Sequence, residues 1–231
     1  MTAPGADVVV DFRNVGKSYC NGAAAVQALR SVSMQIRRGE LVALVGKSGS
    51  GKSTLVNLTG LLDRASSGSI RICGVNPDQL SADAAARLRN RKIGFVFQGC
   101  HLLPDRTVIE NVELPLVYQR GPRKMRRARA FDLLDRMRLT HRARAYPPIL
   151  SGGEKQRAAI ARALITDPDL VIADEPTAAL DPENSEIVLN IFKSLADQGR
   201  AVLMVTHDPV AERAAGRVIR LDRGRIRAEA E

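Results

Sequence analysis

Residues 46–54 read "GKSGSGKST". The stretch fits the pattern G-x-x-x-x-G-K-[ST], with Gly46, Gly51, Lys52 and Ser53 in the defining positions. The apolar run "LVALVG" (41–46) precedes it and reads as a strand, while "GKSTLVNLTGLL" (51–62) follows it with helical periodicity. A strand that turns through glycines directly into a helix makes a phosphate cradle. Backbone amides curl around phosphate oxygens where no Cβ intervenes, and the helix start adds partial positive charge. In such a loop Lys52 reaches the β- and γ-phosphates of a nucleotide and Ser53 ligates Mg²⁺, with Ser48, Gly49, Ser50 and Thr54 completing the wall.

Outward from this loop, strand-like and helix-like runs alternate. "DVVVDF" (7–12), "SGSIRICG" (67–74), "IGFVFQ" (93–98), "LVIAD" (170–174) and "AVLMVT" (201–206) read as strands, the third of them as buried. "SADAAARLRNRK" (81–92), 152–166 and 183–198 read as helices, with a short helix after 206. This alternation predicts an α/β fold with a parallel sheet covered on both faces. The C-terminal "RVIRLDRGRIRAEA" predicts a hairpin turning at Gly224. Residues 99–150 differ: they are helical, charged and broken by Pro104, "GP" at 121–122 and "PP" at 147–148, which predicts a helical insertion.

The chain has 231 residues, enough for one large domain, and 45% of them are hydrophobic. No apolar run approaches the roughly 18 residues of a membrane-spanning helix. The first residues, "MTAPGADVVVDF", lack the basic and apolar regions of a secretion signal. Cys20, Cys73 and Cys100 are far apart, so neither a zinc site nor a disulfide framework is expected, and a reducing compartment fits. The net charge is +10, but residues 120–144 alone hold ten Lys/Arg against two Asp. That concentration reads first as the solvated face of a surface helix, next as attraction to anionic lipid, and last as a nucleic-acid footprint. The chain has no Trp and few aromatics on which bases could stack.

Phosphoryl transfer also needs a carboxylate for the metal and a group to orient water. "LVIADEP" supplies both: Asp174 ends an apolar strand, at the edge where α/β sheets bind ligands, and Glu175 follows as the expected general base.

A second glycine-bearing helix start occurs at "LSGGEKQR" (150–157). Ser151 and Glu154 have capping-box spacing. A cap does not explain Gly152 and Gly153, each about 1 kcal/mol worse than Ala in a helix. Bare backbone here suggests close approach of something anionic, and a second copy's nucleotide, shared across a two-fold dimer, is a simple source.

Taken in order, "GKSGSGKST", "FVFQ", "LSGGEKQR", "LVIADEP", "AALD" and "VTHD" resemble the nucleotide-binding subunit of an ABC transporter, from Phe12 to about Gly224. The resemblance implies a RecA-like core, an antiparallel β-subdomain near the N-terminus and an inserted helical subdomain. Their expected bounds are 1–98 with 158–231, and 99–157. It implies ATP and Mg²⁺ as cofactors, with Ser53, Gln98 and Asp174 at the metal. It further implies that Tyr19 stacks on adenine, that Gln98 touches Mg²⁺ and the attacking water, and that His207 holds the γ-phosphate. Ser151, Gly152 and Gly153 face the partner's nucleotide, and Asp181 communicates across the dimer; Ala179 departs from the Ser or Gly-Asn common in this last motif. His101, His141 and Cys100 carry no implied role.

"FQGCHLLPDRTVIENVELPL" (97–116) is similar to the ATPases of lipoprotein-releasing and macrolide-exporter-type systems. This implies a peripheral subunit at the cytoplasmic face of the inner membrane, paired with a transmembrane permease that bears a periplasmic domain. The work would be export or extrusion of lipoprotein, peptide or drug, or else regulation of a cell-division type. In that reading the Pro-broken apolar stretch docks the permease; ordinary packing within the helical subdomain is the alternative.

Overall fold

The computed structural model describes residues 7–21 and 24–227, without the side chains of residues 20, 21, 24 and 25. The first six residues, the Cys20 thiol and the last four residues, on which parts of the readings above fall, lie outside that description.

Two sheets organise the chain. The first is antiparallel, in the order β2-β1-β4: β1 is Val8–Asn21, β2 is Ala24–Arg37 and β4 is Ser67–Ile72. The second has six strands, in the order β5-β6-β7-β3-β8-β9. Its members are β3 (Leu41–Val45), β5 (Ile93–Phe97), β6 (Leu170–Asp174), β7 (Ala201–Val205), β8 (Arg217–Asp222) and β9 (Arg225–Arg227). Every neighbouring pair is parallel except β8 with β9. That pair is joined by Arg223 and Gly224, at φ 48° and 77°, the left-handed pair that a two-residue hairpin requires.

The helices are α1 (Lys52–Thr59), α2 (Ala82–Lys92), α3 (Val108–Tyr118), α4 (Arg123–Arg136), α5 (Gly152–Leu164), α6 (Pro182–Asp197) and α7 (Pro209–Ala214). Among the described residues, no helix is long and apolar enough to cross a membrane.

Near-continuous apolar strands make sense because both faces are covered. In β6, Leu170 and Ile172 join one core with the antiparallel sheet and α1. Val171 and Ala173 join another, with α3 to α6. In α4, Ala130, Leu133 and Leu134 are buried, Arg126 and Arg127 are half-buried, and Arg123, Lys124, Arg129 and Arg136 are exposed.

Several boundaries depart from the sequence reading. α1 stops at Thr59 rather than running on to residue 62. A Cβ at Gly60 would meet the Phe95 ring at 2.5 Å, and Leu61 has φ 57°, so the chain turns there. β2 was not legible, because its apolar alternation slips where Ser31 takes φ 53° beside register shifts in the β1–β2 pairing. The expected line between residues 157 and 158 falls inside α5, an unbroken helix. β5, expected to be buried, is buried at Ile93, Gly94 and Val96 but stands at the edge of the sheet, and the half-buried Phe95 and Phe97 stack 5.6 Å apart in the groove beside it.

Candidate nucleotide site

Strand register brings distant segments to one edge. Phe97 pairs with Asp174, Asp174 with Val205, and Val205 with Leu44. The residues that follow these strand ends are Gln98, Glu175, the Thr206–His207 pair and the glycine loop. All leave the sheet at its carboxyl edge, where open α/β sheets bind ligands.

The glycine loop is shaped by its own surroundings. A Cβ at Gly46 would meet the Leu221 carbonyl oxygen at 2.2 Å, and one at Gly51 the Ala28 carbonyl oxygen at 2.5 Å. Gly51 also holds φ 107°, closed to L side chains. The Ser50 N–H donates to the Lys47 carbonyl (3.1 Å), and the Gly224 N–H donates to the Ser50 carbonyl (2.8 Å). The loop is thereby tied to the β8–β9 hairpin.

Three features match a polyphosphate. The Lys52 ammonium donates to the carbonyls of Gly46 (2.6 Å) and Lys47 (3.1 Å), so it lies within the loop. The Ser50 hydroxyl is buried with no hydrogen-bond partner. The start of α1 has no side-chain cap and no acidic residue in its first turn. Ser48, Gly49 and Ser53 are exposed on the same rim, and Thr54 is half-buried.

The two carboxylates behave differently from solvent-exposed ones. Burial pushes the Asp174 carboxyl above its usual range, with Lys52 and then His207 pulling back. Burial also raises Glu175, opposed first by the charge of His207, whose Nε2 lies 3.3 Å from Glu175 Oε1. Glu175 sits at φ 49°, its N–H donating to the Val205 carbonyl (3.0 Å). A carboxylate with a raised pKa beside an imidazole suits a base that must take a proton near neutral pH. Gln98 is exposed at the end of β5.

Tyr19 lies 40% exposed on β1. Its hydroxyl donates to Asp63 (2.8 Å), and the Lys17 ammonium sits 4.8 Å over its ring while also pairing with Asp63 (2.6 Å). Sequence reasoning missed Asp63, which is 44 residues away and has no motif around it.

At the second glycine turn, the capping box forms. The Ser151 N–H donates to Glu154 Oε2 (2.8 Å) and the Glu154 N–H to Ser151 Oγ (3.2 Å). The two glycines differ in what surrounds them within the chain. A Cβ at Gly153 would meet Asn184 Oδ1 at 2.2 Å, so a larger residue there would displace that side chain. At Gly152 the nearest atoms are the Ala179 carbonyl oxygen at 3.7 Å and Leu180 Cδ2 at 3.9 Å, which is ordinary contact.

Asn184 is the second residue the sequence did not announce. Its side-chain oxygen accepts from Arg157 (2.9 Å), and its amide donates to Asp181 Oδ2 (2.7 Å). Asp181 also caps α6, accepting the Asn184 N–H (2.8 Å), and these bonds hold its carboxyl below the usual range. The glycine turn and the "AALD" segment are therefore joined through one side chain. Among the residues expected to be non-catalytic, Cys100 donates to Gln156 Oε1 (2.8 Å), and burial raises its thiol pKa. The His101 ring meets Phe97 edge-on.

Comparison with known proteins follows the same lines. The family model described as "ABC transporter" matches residues 29–178. The macrolide export ATP-binding/permease protein MacB of Sodalis glossinidius is 45% identical over 229 residues. That match takes in 99% of this chain but 34% of the relative, so the chain spans about a third of its length. The uncharacterized ABC transporter ATP-binding protein YvrO of Bacillus subtilis is 43% identical, over 94% of this chain and 95% of that one. The dimeric post-hydrolysis structure of the ATP-binding cassette MJ0796, bound to ADP and Pi, is 40% identical. It superimposes with a TM-score of 0.88 over 96% of this chain and 98% of the other.

Proposed function

The chain belongs to the ABC transporter family as an ATP-binding cassette, an ATPase that takes ATP with Mg²⁺, and from that premise we propose that two copies close around two ATP molecules to drive a separate transmembrane permease. The observation that carries this reading is Gly152, an exposed glycine at a helix start where a Cβ would meet the described residues only in ordinary contact. A partner copy's γ-phosphate is the group of the right charge to approach it.

In this scheme Lys52 and the loop amides hold the phosphates from one side, while Ser151 and Gly152 of the other copy close from the opposite side. Ser53, Asp174 and Gln98 would hold Mg²⁺, which when bound would supply charge neutralisation for the transferring phosphoryl group. Glu175 takes the proton of the attacking water, and His207 steadies the γ-phosphate while holding Glu175 in place. Tyr19 packs against adenine, its hydroxyl anchored on Asp63. Closure is a population shift, so ATP must favour the closed pair over the open one.

A groove of about 990 Å³ beside β5 is a suitable seat for the permease. Its lining includes Phe95, Phe97, His101, Leu114, Pro115 and Tyr118, from both the core and the helical insertion. A cytoplasmic segment wedged there would feel the two parts move. The likeness to MacB and the "HLLP" region favour an exporter or extruder of lipoprotein, peptide or drug. Its permease would carry a periplasmic domain, and this subunit would lie on the cytoplasmic face.

The test is to purify tagged Glu175→Gln chain from its native host, in mild detergent with Mg-ATP, and identify what co-elutes. A stoichiometric membrane protein with a large extracytoplasmic domain is the expected result. Ribosomes or nucleic acid with no membrane protein would overturn the reading.

A further inference from the structure

Beside the groove lies a surface that the ATPase reaction does not use. Residues 114–131 hold six Lys/Arg and no Asp or Glu. They form the end of α3, the turn through Gly121 and Pro122, and most of α4. Two of the cations are engaged within the chain: Arg126 donates to the Gly121 carbonyl, and Arg127 lies 3.5 Å from Glu113. Arg120, Arg123, Lys124 and Arg129 are exposed and have no side-chain partner among the described residues.

Apolar side chains stand among these cations. Tyr118 is 75% exposed and Met125 is 68% exposed. A merely solvated basic face would account for the charges and not for these neighbours. Cations interleaved with large apolar tips suit a bilayer surface, where ammonium and guanidinium groups meet lipid phosphates and the tips enter the headgroup layer.

Position points the same way. Tyr118 and Arg120 also line the groove, so the basic surface adjoins it. A face that receives the cytoplasmic segment of a membrane protein looks toward the bilayer. We infer that the α3–α4 corner binds anionic phospholipid headgroups beside the permease. Its orientation rests on the permease-docking reading, but vesicle binding by the chain does not. Such an anchor would keep each cassette close to its partner while the ATP-driven dimer is open, by raising their effective concentration.

The experiment uses the full chain in flotation assays with phosphatidylcholine vesicles, with and without phosphatidylglycerol. The triple variant R123E/K124E/R129E is compared with R30E/R37E/R225E, which changes net charge equally on exposed residues elsewhere. Binding should require the anionic lipid, weaken with salt and fall about tenfold or more in the first triple only. Met125→Ser should weaken it further without altering the thermal melt.

Equal losses in the two triples would reduce the effect to net charge and overturn the proposal. So would equal binding to neutral vesicles, or a short oligonucleotide competing fully for the same surface. Vesicle binding that survives while no permease co-purifies would sink the docking reading and leave this one standing.

Discussion

The phosphate loop and the signature turn are both glycine-bearing helix starts, yet different things demand their glycines. In the phosphate loop, Gly46 and Gly51 are required from within, by the carbonyls of Leu221 and Ala28. In the turn at residues 150–157, the hydrogen-bonded tip of Asn184 crowds Gly153, while nothing among the described residues crowds Gly152. A glycine in a motif is therefore poor evidence of a ligand until the fold's own demands are subtracted. What remains here is one residue, Gly152, which the proposed dimer assigns to the partner's nucleotide.

The largest expected effect creates the background in which this comparison can be read. Glu175→Gln should bind ATP nearly as the native chain does and lose about 10²–10⁴ in hydrolysis. Phosphate release and nucleotide-binding titrations, with the permease present, measure the two separately. Native turnover in that complex would remove Glu175 from the role of base.

In that background Gly152→Ala is the sharpest test. The monomer should melt no lower than its parent, because Ala is the better helix former by up to about 1 kcal/mol. The ATP-driven dimer, followed by sedimentation, should weaken more than tenfold, because in the proposed dimer a methyl group would stand between the partner's phosphate and the backbone. A dimer that forms unchanged would show that the open glycine receives nothing, and the contrast between the two turns would collapse.

Gly153→Ala should behave in the opposite way, losing about 1–3 kcal/mol of stability through overpacking against Asn184. Adding Asn184→Ala should recover part of that loss, since contacting residues couple. Chemical denaturation of the two single variants and the double variant gives the coupling. Full additivity would mean that Asn184 is not the obstacle.

How much of this was legible in the sequence follows from distance along the chain. The glycine loop, Asp174, Glu175 and His207 could be read because each follows directly on an apolar strand, and parallel register carries all four to one edge. The parallel core was legible for the same reason. β2 was hidden by its bulge, and the edge position of β5 because an apolar strand reads alike at the edge and at the centre of a sheet. Asp63 and Asn184 were invisible because a carboxylate or amide in a polar stretch has no pattern until its partners arrive. Those partners, Tyr19 and Arg157, lie 44 and 27 residues away.

The smallest effect concerns electrostatics at the two turns. The start of α5 is closed by its own carboxylate, whereas the start of α1 has none. Burial works to raise Glu154. The Arg142 guanidinium (2.8 Å) and then the Ser151 N–H outweigh it and hold the carboxyl at about 2, against an ordinary 4.5. A depressed carboxyl pKa contributes stability that is fully present above the ordinary value and is lost as pH falls through the folded one. Glu154→Gln should therefore lower stability by about 1–2 kcal/mol at neutral pH, and the difference should vanish as pH falls from 4.5 toward 2. Melting curves across that range check it. The variant should also leave the turn more positive, because an anion at a helix start cancels part of the dipole. If the signature turn recognised phosphate chiefly by charge, Glu154→Gln would tighten the ATP-driven dimer. If it does so by close approach at Gly152, the dimer will be unchanged or weaker, and that second outcome is the one this fold predicts.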